Sequence, residues 1–250
     1  VLPGKLNVAP HCHSAEEEIF VLLDGDGHLL LWEADGVAEY PVRAGSVVGL
    51  VGPNGSGKTT LLHVAAGLLR ADRGTALVAG AAAGSRAARS ALALVPDEPT
   101  GFDELTVAEL VSLVHALWRA GPAAAARADV LVGAFGLTAR LGTRLGSLSR
   151  GLRRQASAVA ALSLAPALLL VDEASATLDP EAVVVLREAV GALAARGGGV
   201  LLATQDLHFA ARACDDVVLL AGGRVLEQGA PALLCERYAV ETLEDVFLAV

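Results

Sequence analysis

Residues 52–59 read Gly-Pro-Asn-Gly-Ser-Gly-Lys-Thr, and this spacing suits one chemistry above others, the cradling of phosphate. Gly52, Gly55 and Gly57 let the backbone curl tightly enough for successive N–H groups to converge on an anion, with Asn54 and Ser56 between them. Lys58 is placed to reach the β- and γ-phosphates of a nucleotide, Thr59 to hold Mg²⁺ through its hydroxyl, and Thr60 to follow it into a helix. Far downstream, Leu168-Leu-Leu-Val-Asp-Glu173 ends an apolar run in two acids. Asp172 can hold Mg²⁺ opposite Thr59, and Glu173, one residue on, can polarise an attacking water.

These side chains need a scaffold that ends strands beside helix starts. From Ser46 onward apolar strand-like runs alternate with helical patterns, which implies an α/β fold on a mostly parallel sheet flanked by helices. The expected strands are 46–51, 91–95, 167–171, 199–204 and 216–220. Helices are expected over 61–69, 106–119, 123–137 and 181–196, the last opened by Asp179-Pro180, a cap followed by proline in the first turn. Residues 1–45 are β-rich instead. Ile19–Leu23, His28–Trp32 and Val37–Val42 read as strands of an antiparallel segment, the first two separated by the turn Asp24-Gly-Asp-Gly27.

Leu148-Ser-Arg-Gly-Leu-Arg-Arg-Gln155 places Ser149 and Gly151 at a helix start, a second anion-binding device. With the phosphate loop, the Asp172-Glu173 strand and Ser175-Ala-Thr-Leu-Asp179 in this order, the chain resembles the nucleotide-binding subunit of ATP-binding cassette (ABC) transporters, from about residue 42 to the C-terminus. The resemblance implies a P-loop NTPase of the ABC ATPase type. Residues 46–235 would be the cassette, about 99–164 its helical subdomain, and 236–250 a tail. It implies ATP and Mg²⁺ as cofactors and ATP hydrolysis as the activity. Ser149 and Gly151 would face the nucleotide of a second cassette, with Asp179 beside the site, in a homo- or heterodimer. That dimer would drive a separate membrane permease from the cytoplasmic face of the cell membrane. Leu243-Glu-Asp-Val-Phe-Leu248 is similar to the tail of exporter-type cassettes, so export is the expected direction.

Two positions depart from the family pattern. Asp97 stands where a glutamine is expected; it can ligate Mg²⁺ but adds negative charge near the γ-phosphate. Gln205 stands where a histidine is expected; it can donate a hydrogen bond but cannot shuttle a proton. Slow hydrolysis with intact ATP-driven closure is the expectation. Arg150 also replaces one signature glycine.

The N-terminal segment has its own resemblance. His11, His13 and Glu18, in Pro10-His-Cys-His-Ser-Ala-Glu-Glu-Glu-Ile19, match the first motif of the cupin family, with Glu17 as the alternative acid. Such residues would ligate a transition metal. The second cupin motif is missing, so a vestigial or fused segment, its strands reused by the cassette, is expected ahead of a working metal site. For stacking on adenine, Trp32 and Tyr40 are the candidates.

Composition narrows the alternatives. The formal net charge of −9 argues against a nucleic-acid groove, although Arg150, Arg153 and Arg154 cluster into a local basic patch. Three cysteines, Cys12, Cys214 and Cys235, suit a reducing compartment rather than a disulfide scaffold. No secretory signal or membrane span is expected. Without any Met, Val1 reads as an alternative start or as the start of a fragment. The competing readings are a soluble, non-transport ABC ATPase and a metal-binding cupin-like module fused to an inactive cassette.

Overall fold

The computed structural model describes residues 18–23, 28–33, 36–41, 45–71 and 76–250. Strands β1 (Glu18–Leu23), β2 (His28–Glu33) and β3 (Gly36–Pro41) form an antiparallel meander, with Phe20 opposite Leu30 and Leu30 opposite Glu39. β4 (Val47–Val51) is buried along its whole length and delivers the chain into α1 (Lys58–Ala65). The two-residue strands β5 (Leu77–Val78) and β6 (Ala81–Ala82) return to the first sheet. There β5 pairs in parallel with β1, Leu22 against Leu77, so the strand order is β3-β2-β1-β5-β6. The N-terminal strands therefore share a sheet with chain that follows the phosphate loop.

After α2 (Arg86–Ala91), β7 (Leu92–Val95) joins the second sheet. Three helices come next: α3 (Val107–Trp118), α4 (Pro122–Ala134) and α5 (Arg150–Ser163). The chain then alternates through β8 (Leu168–Val171), α6 (Pro180–Ala194), β9 (Gly199–Thr204), α7 (Leu207–Ala213) and β10 (Asp216–Ala221). It closes with β11 (Arg224–Gly229), α8 (Pro231–Tyr238) and α9 (Leu243–Ala249). The second sheet runs β11-β10-β4-β9-β8-β7, parallel except for the β10–β11 hairpin.

Strand side chains alternate between the two faces of this sheet. Val47, Leu169, Val171, Val200 and Leu202 pack in one core with α3, α4, α5 and α6. Val48, Leu168, Leu170, Leu201 and Ala203 pack in another with α1 and α2. With both faces covered, the strands are continuous apolar runs rather than alternating ones. A third core joins Val51, Val217 and Leu219 to Leu234, Leu243 and Val246 of the last two helices. The 243–248 stretch is thus a packed helix.

The expected strands and longer helices are present with ends shifted by a few residues. The helix expected over 61–69 instead begins at Lys58 and ends at Ala65. β5, β6 and α2 go beyond the sequence expectation, because β5 is only two residues long and the alanine-rich run 79–93 carries no clear period. Among the described residues, no helix is long and apolar enough to cross a membrane.

Candidate functional site

The phosphate loop hangs between the end of β4 and the start of α1. The Gly52 N–H donates to the Thr204 carbonyl at 3.3 Å, which ties the loop to the end of β9. A Cβ on Gly52 would lie 2.1 Å from the Leu220 carbonyl oxygen of β10, so no other residue fits there. Gly57 caps α1 at a φ of 101°, a left-handed conformation open to glycine. Lys58 is 4% exposed, a buried ammonium. Its Nζ donates to the carbonyls of Gly52 (2.8 Å) and Pro53 (3.0 Å) and lies 3.6 Å from Glu173 Oε1. Ser56 Oγ is buried without a hydrogen-bond partner. Asn54, Gly55, Thr59 and Thr60 are exposed.

β8 brings the acids to this loop. Its four buried residues end at Asp172, 3% exposed, whose Oδ1 accepts from Thr59 Oγ1 at 3.0 Å. A hydroxyl and a carboxylate so placed are hard oxygen ligands of the kind Mg²⁺ takes alongside phosphate oxygens. Among the described residues no group of three or more His, Cys, Asp or Glu is arranged to hold a metal ion. An ion here would therefore share Thr59 and Asp172 with a phosphate. A buried cation, an unpartnered hydroxyl and convergent loop glycines fit a Mg²⁺-bound nucleoside triphosphate.

Behind the acids sits a charged side chain that in sequence is one member of a basic cluster. Arg154 of α5 is 1% exposed. Its Nη2 donates to the carbonyl oxygens of Asp172 and Glu173. Its Nη1 donates to the Asp97 carbonyl (3.2 Å) and to Asp97 Oδ1 (2.9 Å). Burial pulls its guanidinium below the ordinary arginine value, and the Asp97 charge opposes that pull. Asp97 Oδ2 accepts from Arg150 Nη2 at 2.9 Å. Both oxygens of the expected Mg²⁺ ligand are thus engaged by arginines, and Asp97 would have to release one to reach an ion. Arg153 Nη1 lies 3.5 Å from Asp103, so all three arginines of the cluster face acids of the segment after β7.

Ser149, Gly151 and Asp179 form a separate group. Ser149 caps α5, its Oγ accepting from the Leu152 N–H at 3.3 Å. A Cβ on Gly151 would sit 2.5 Å from the Thr177 carbonyl oxygen, so the signature turn packs against the 175–179 loop. Asp179 caps α6 through Ala182 N–H (2.8 Å) and accepts from Gln155 Nε2 at 3.4 Å. Ser149 and Asp179 are exposed. Among the described residues no hydrogen bond joins this group to the phosphate loop of its own chain.

Gln205 follows β9 directly and is exposed, one residue beyond the carbonyl that holds Gly52. His11 and His13 lie outside the described residues; Glu18 opens β1, Trp32 lies in β2 and Tyr40 in β3. Two residues missed from sequence are Arg154, whose carboxylate partner is 57 positions away, and Thr204, whose hydroxyl accepts from Asp206 N–H at 3.0 Å.

Comparison with known proteins follows the same lines. The family described as ABC transporter matches residues 38–176. The Nod factor export ATP-binding protein I of Burkholderia orbicola (strain AU 1054) is 36% identical over 201 residues, 79% of this chain and 66% of that protein. The cobalamin import ATP-binding protein BtuD of Halobacterium salinarum (strain ATCC 29341 / DSM 671 / R1) is 35% identical over 216 residues, 84% of this chain and 54% of that protein. The chain thus spans between about half and two thirds of the length of these curated relatives. A solved structure of the ATP binding subunit of an ABC transporter superposes with a TM-score of 0.78 at 29% identity, covering 86% of this chain and 91% of its own.

Proposed function

This chain belongs to the ABC transporter family as an ATP-binding domain, and from that premise we propose that it hydrolyses Mg-ATP to drive a separate membrane permease. The observation that carries this reading is the buried Lys58, 3.6 Å from Glu173, with Thr59 bonded to Asp172 at 3.0 Å. Lys58 trades its two loop carbonyls for the β- and γ-phosphates. Thr59 and Asp172 would hold Mg²⁺, which would offset phosphate charge there; Asp97 would join them only by giving up an arginine. Glu173 orients and deprotonates the attacking water, and Gln205 donates a hydrogen bond to the γ-phosphate.

Among the described residues, no hydrogen bond ties the Ser149–Gly151–Asp179 group to its own phosphate loop. Two cassettes, identical or different, closing head to tail would give each such group a nucleotide to bind, and closure would move the permease. On this reading the chain works at the cytoplasmic face of a membrane, held there by the permease, and does not act on nucleic acid. The direction of transport is read as export, in line with the Nod factor relative, although the cobalamin relative is named for import. The cupin-like segment is read as fused chain that serves the cassette, since β1 pairs with β5. Stoichiometric Mn, Fe, Zn or Ni in the purified protein, lost on His11→Ala, would overturn that part.

The test is Mg-ATP hydrolysis by the wild-type chain and by Glu173→Gln, with ATP binding followed in parallel. Binding in both and turnover in the wild type alone is the expected result. Turnover that persists in Glu173→Gln removes Glu173 from its role, and absence of binding removes the reading.

A further inference from the structure

Glu173 sits at a φ of 48°, a left-handed conformation that costs a side-chain-bearing residue strain and persists only when its surroundings enforce it. A buried cation contacts this turn directly. One nitrogen of the buried Arg154 guanidinium bonds the carbonyls on both sides of this residue's N–H, those of Asp172 and Glu173. The other nitrogen is fixed by the carbonyl and carboxylate of Asp97, and that carboxylate is braced from outside by Arg150.

We propose that Arg154 is the positioning residue of the hydrolytic pair, a buried fork that sets the Asp172–Glu173 turn, with Asp97 as its counter-charge and Arg150 as the outer brace. The inference rests on the ATPase reading for the role of Glu173, and on geometry for the clamp itself. A buried cation is tolerated only when paired and hydrogen-bonded, and Asp97 supplies both conditions. A planar guanidinium can serve the two carbonyls and the carboxylate at once; an ammonium is a single point and cannot span them. Two of the three departures from the family pattern, Asp97 and Arg150, are bonded to each other at 2.9 Å. Asp97 is therefore an electrostatic frame member of this chain. Its place beside the acids makes α5 and the segment after β7 part of the support for Glu173.

Arg154→Met, Arg154→Lys and Asp97→Asn in the whole chain test this with two readouts. The first is amide hydrogen exchange without nucleotide at Ala174 and Ala176, whose N–H groups bond the carbonyls of Ala203 (2.9 Å) and Glu173 (3.0 Å). Loss of the clamp should speed exchange there about tenfold while the phosphate-loop helix is unchanged. The second readout is steady-state hydrolysis. A misplaced base should lower kcat about tenfold or more, with KM and Mg-ATP affinity within about twofold. Arg154→Lys should rescue neither. Asp97→Asn, at a partly exposed position, should shift both readouts in the same direction and carries the test if Arg154→Met does not fold. Unchanged exchange at Ala174 and Ala176, or kcat within about twofold of wild type in Arg154→Met, overturns the proposal. So does a fall in Mg-ATP affinity without faster exchange, which would make Arg154 a nucleotide contact. If the wild type hydrolyses no ATP, the ATPase reading falls, and the exchange measurement alone decides the clamp.

Discussion

Gly52 shows how little room a single position leaves. With the Leu220 carbonyl 2.1 Å from any added Cβ, Gly52→Ala must push β4 and β10 apart or displace the loop. We expect a loss of about 3 kcal/mol in urea unfolding together with weaker nucleotide binding. Lys58→Met should keep the fold, since the stem fills the same space, and should lower Mg-ATP affinity by at least about tenfold in a fluorescence titration. Gln205→His should raise kcat severalfold without changing KM, because an imidazole can pass a proton where an amide cannot; an unchanged kcat would show that this position does not limit turnover. Most of the candidate site was legible because it is local: eight consecutive residues make the phosphate loop, and Asp172 and Glu173 end one apolar run. Arg154 was not. A guanidinium one turn into a helix looks like surface charge until the fold carries Asp97, 57 residues earlier, against it.

At the level of elements, α3 carries a capping box: Thr106 Oγ1 accepts from the Glu109 N–H at 3.2 Å while Glu109 Oε2 accepts from the Thr106 N–H at 2.8 Å. Thr106→Ala should cost about 1 kcal/mol in chemical denaturation. The same helix meets α5 through His115 Nε2 and Ser163 Oγ, 2.8 Å apart. Burial, and then the Arg127 charge, hold the His115 imidazole below its ordinary value of 6.5. The unfolded chain therefore binds a proton that the folded chain refuses. Stability from this group is complete above pH 6.5 and declines as the pH falls through the window below it. Urea midpoints at pH 5.5 and 7.5 should differ less for His115→Gln than for the wild type; equal differences would remove His115 from the pH response. Strands β4, β8, β9 and β10 were legible as unbroken apolar runs because both their faces are covered. Their order across the sheet was not, since parallel pairings such as Val47 with Val200 leave no local signature. β5 and β6, two residues each, are strands only because β1 pairs with β5 and β5 with β6.

At the scale of the whole molecule, the proposed head-to-tail closure would set the Ser149–Gly151–Asp179 group and the phosphate loop to work in different copies, so hydrolysis should depend on association. Glu173→Gln with Mg-ATP should shift toward twice the monomer mass in light scattering, alone if the dimer is of one chain or only with a second cassette if it is mixed. A mass that stays at the monomer value under both conditions would count against head-to-tail closure.

The strand that feeds the phosphate loop has a history as well as a place. β4 lies between β9 and β10, so both its neighbours are made some 150 residues after it, Val51 pairing with Thr204 and Leu219. At synthesis rates of about 5–20 residues per second, β4 leaves the ribosome on the order of 10 s before either neighbour exists. During that interval an apolar strand has two unpaired edges, a template for misassociation. The central position that pairs both edges of this strand in the finished protein therefore leaves both edges open in the nascent one. Coexpression with a chaperone that shields nascent chains should raise the soluble yield more than any stabilising surface substitution.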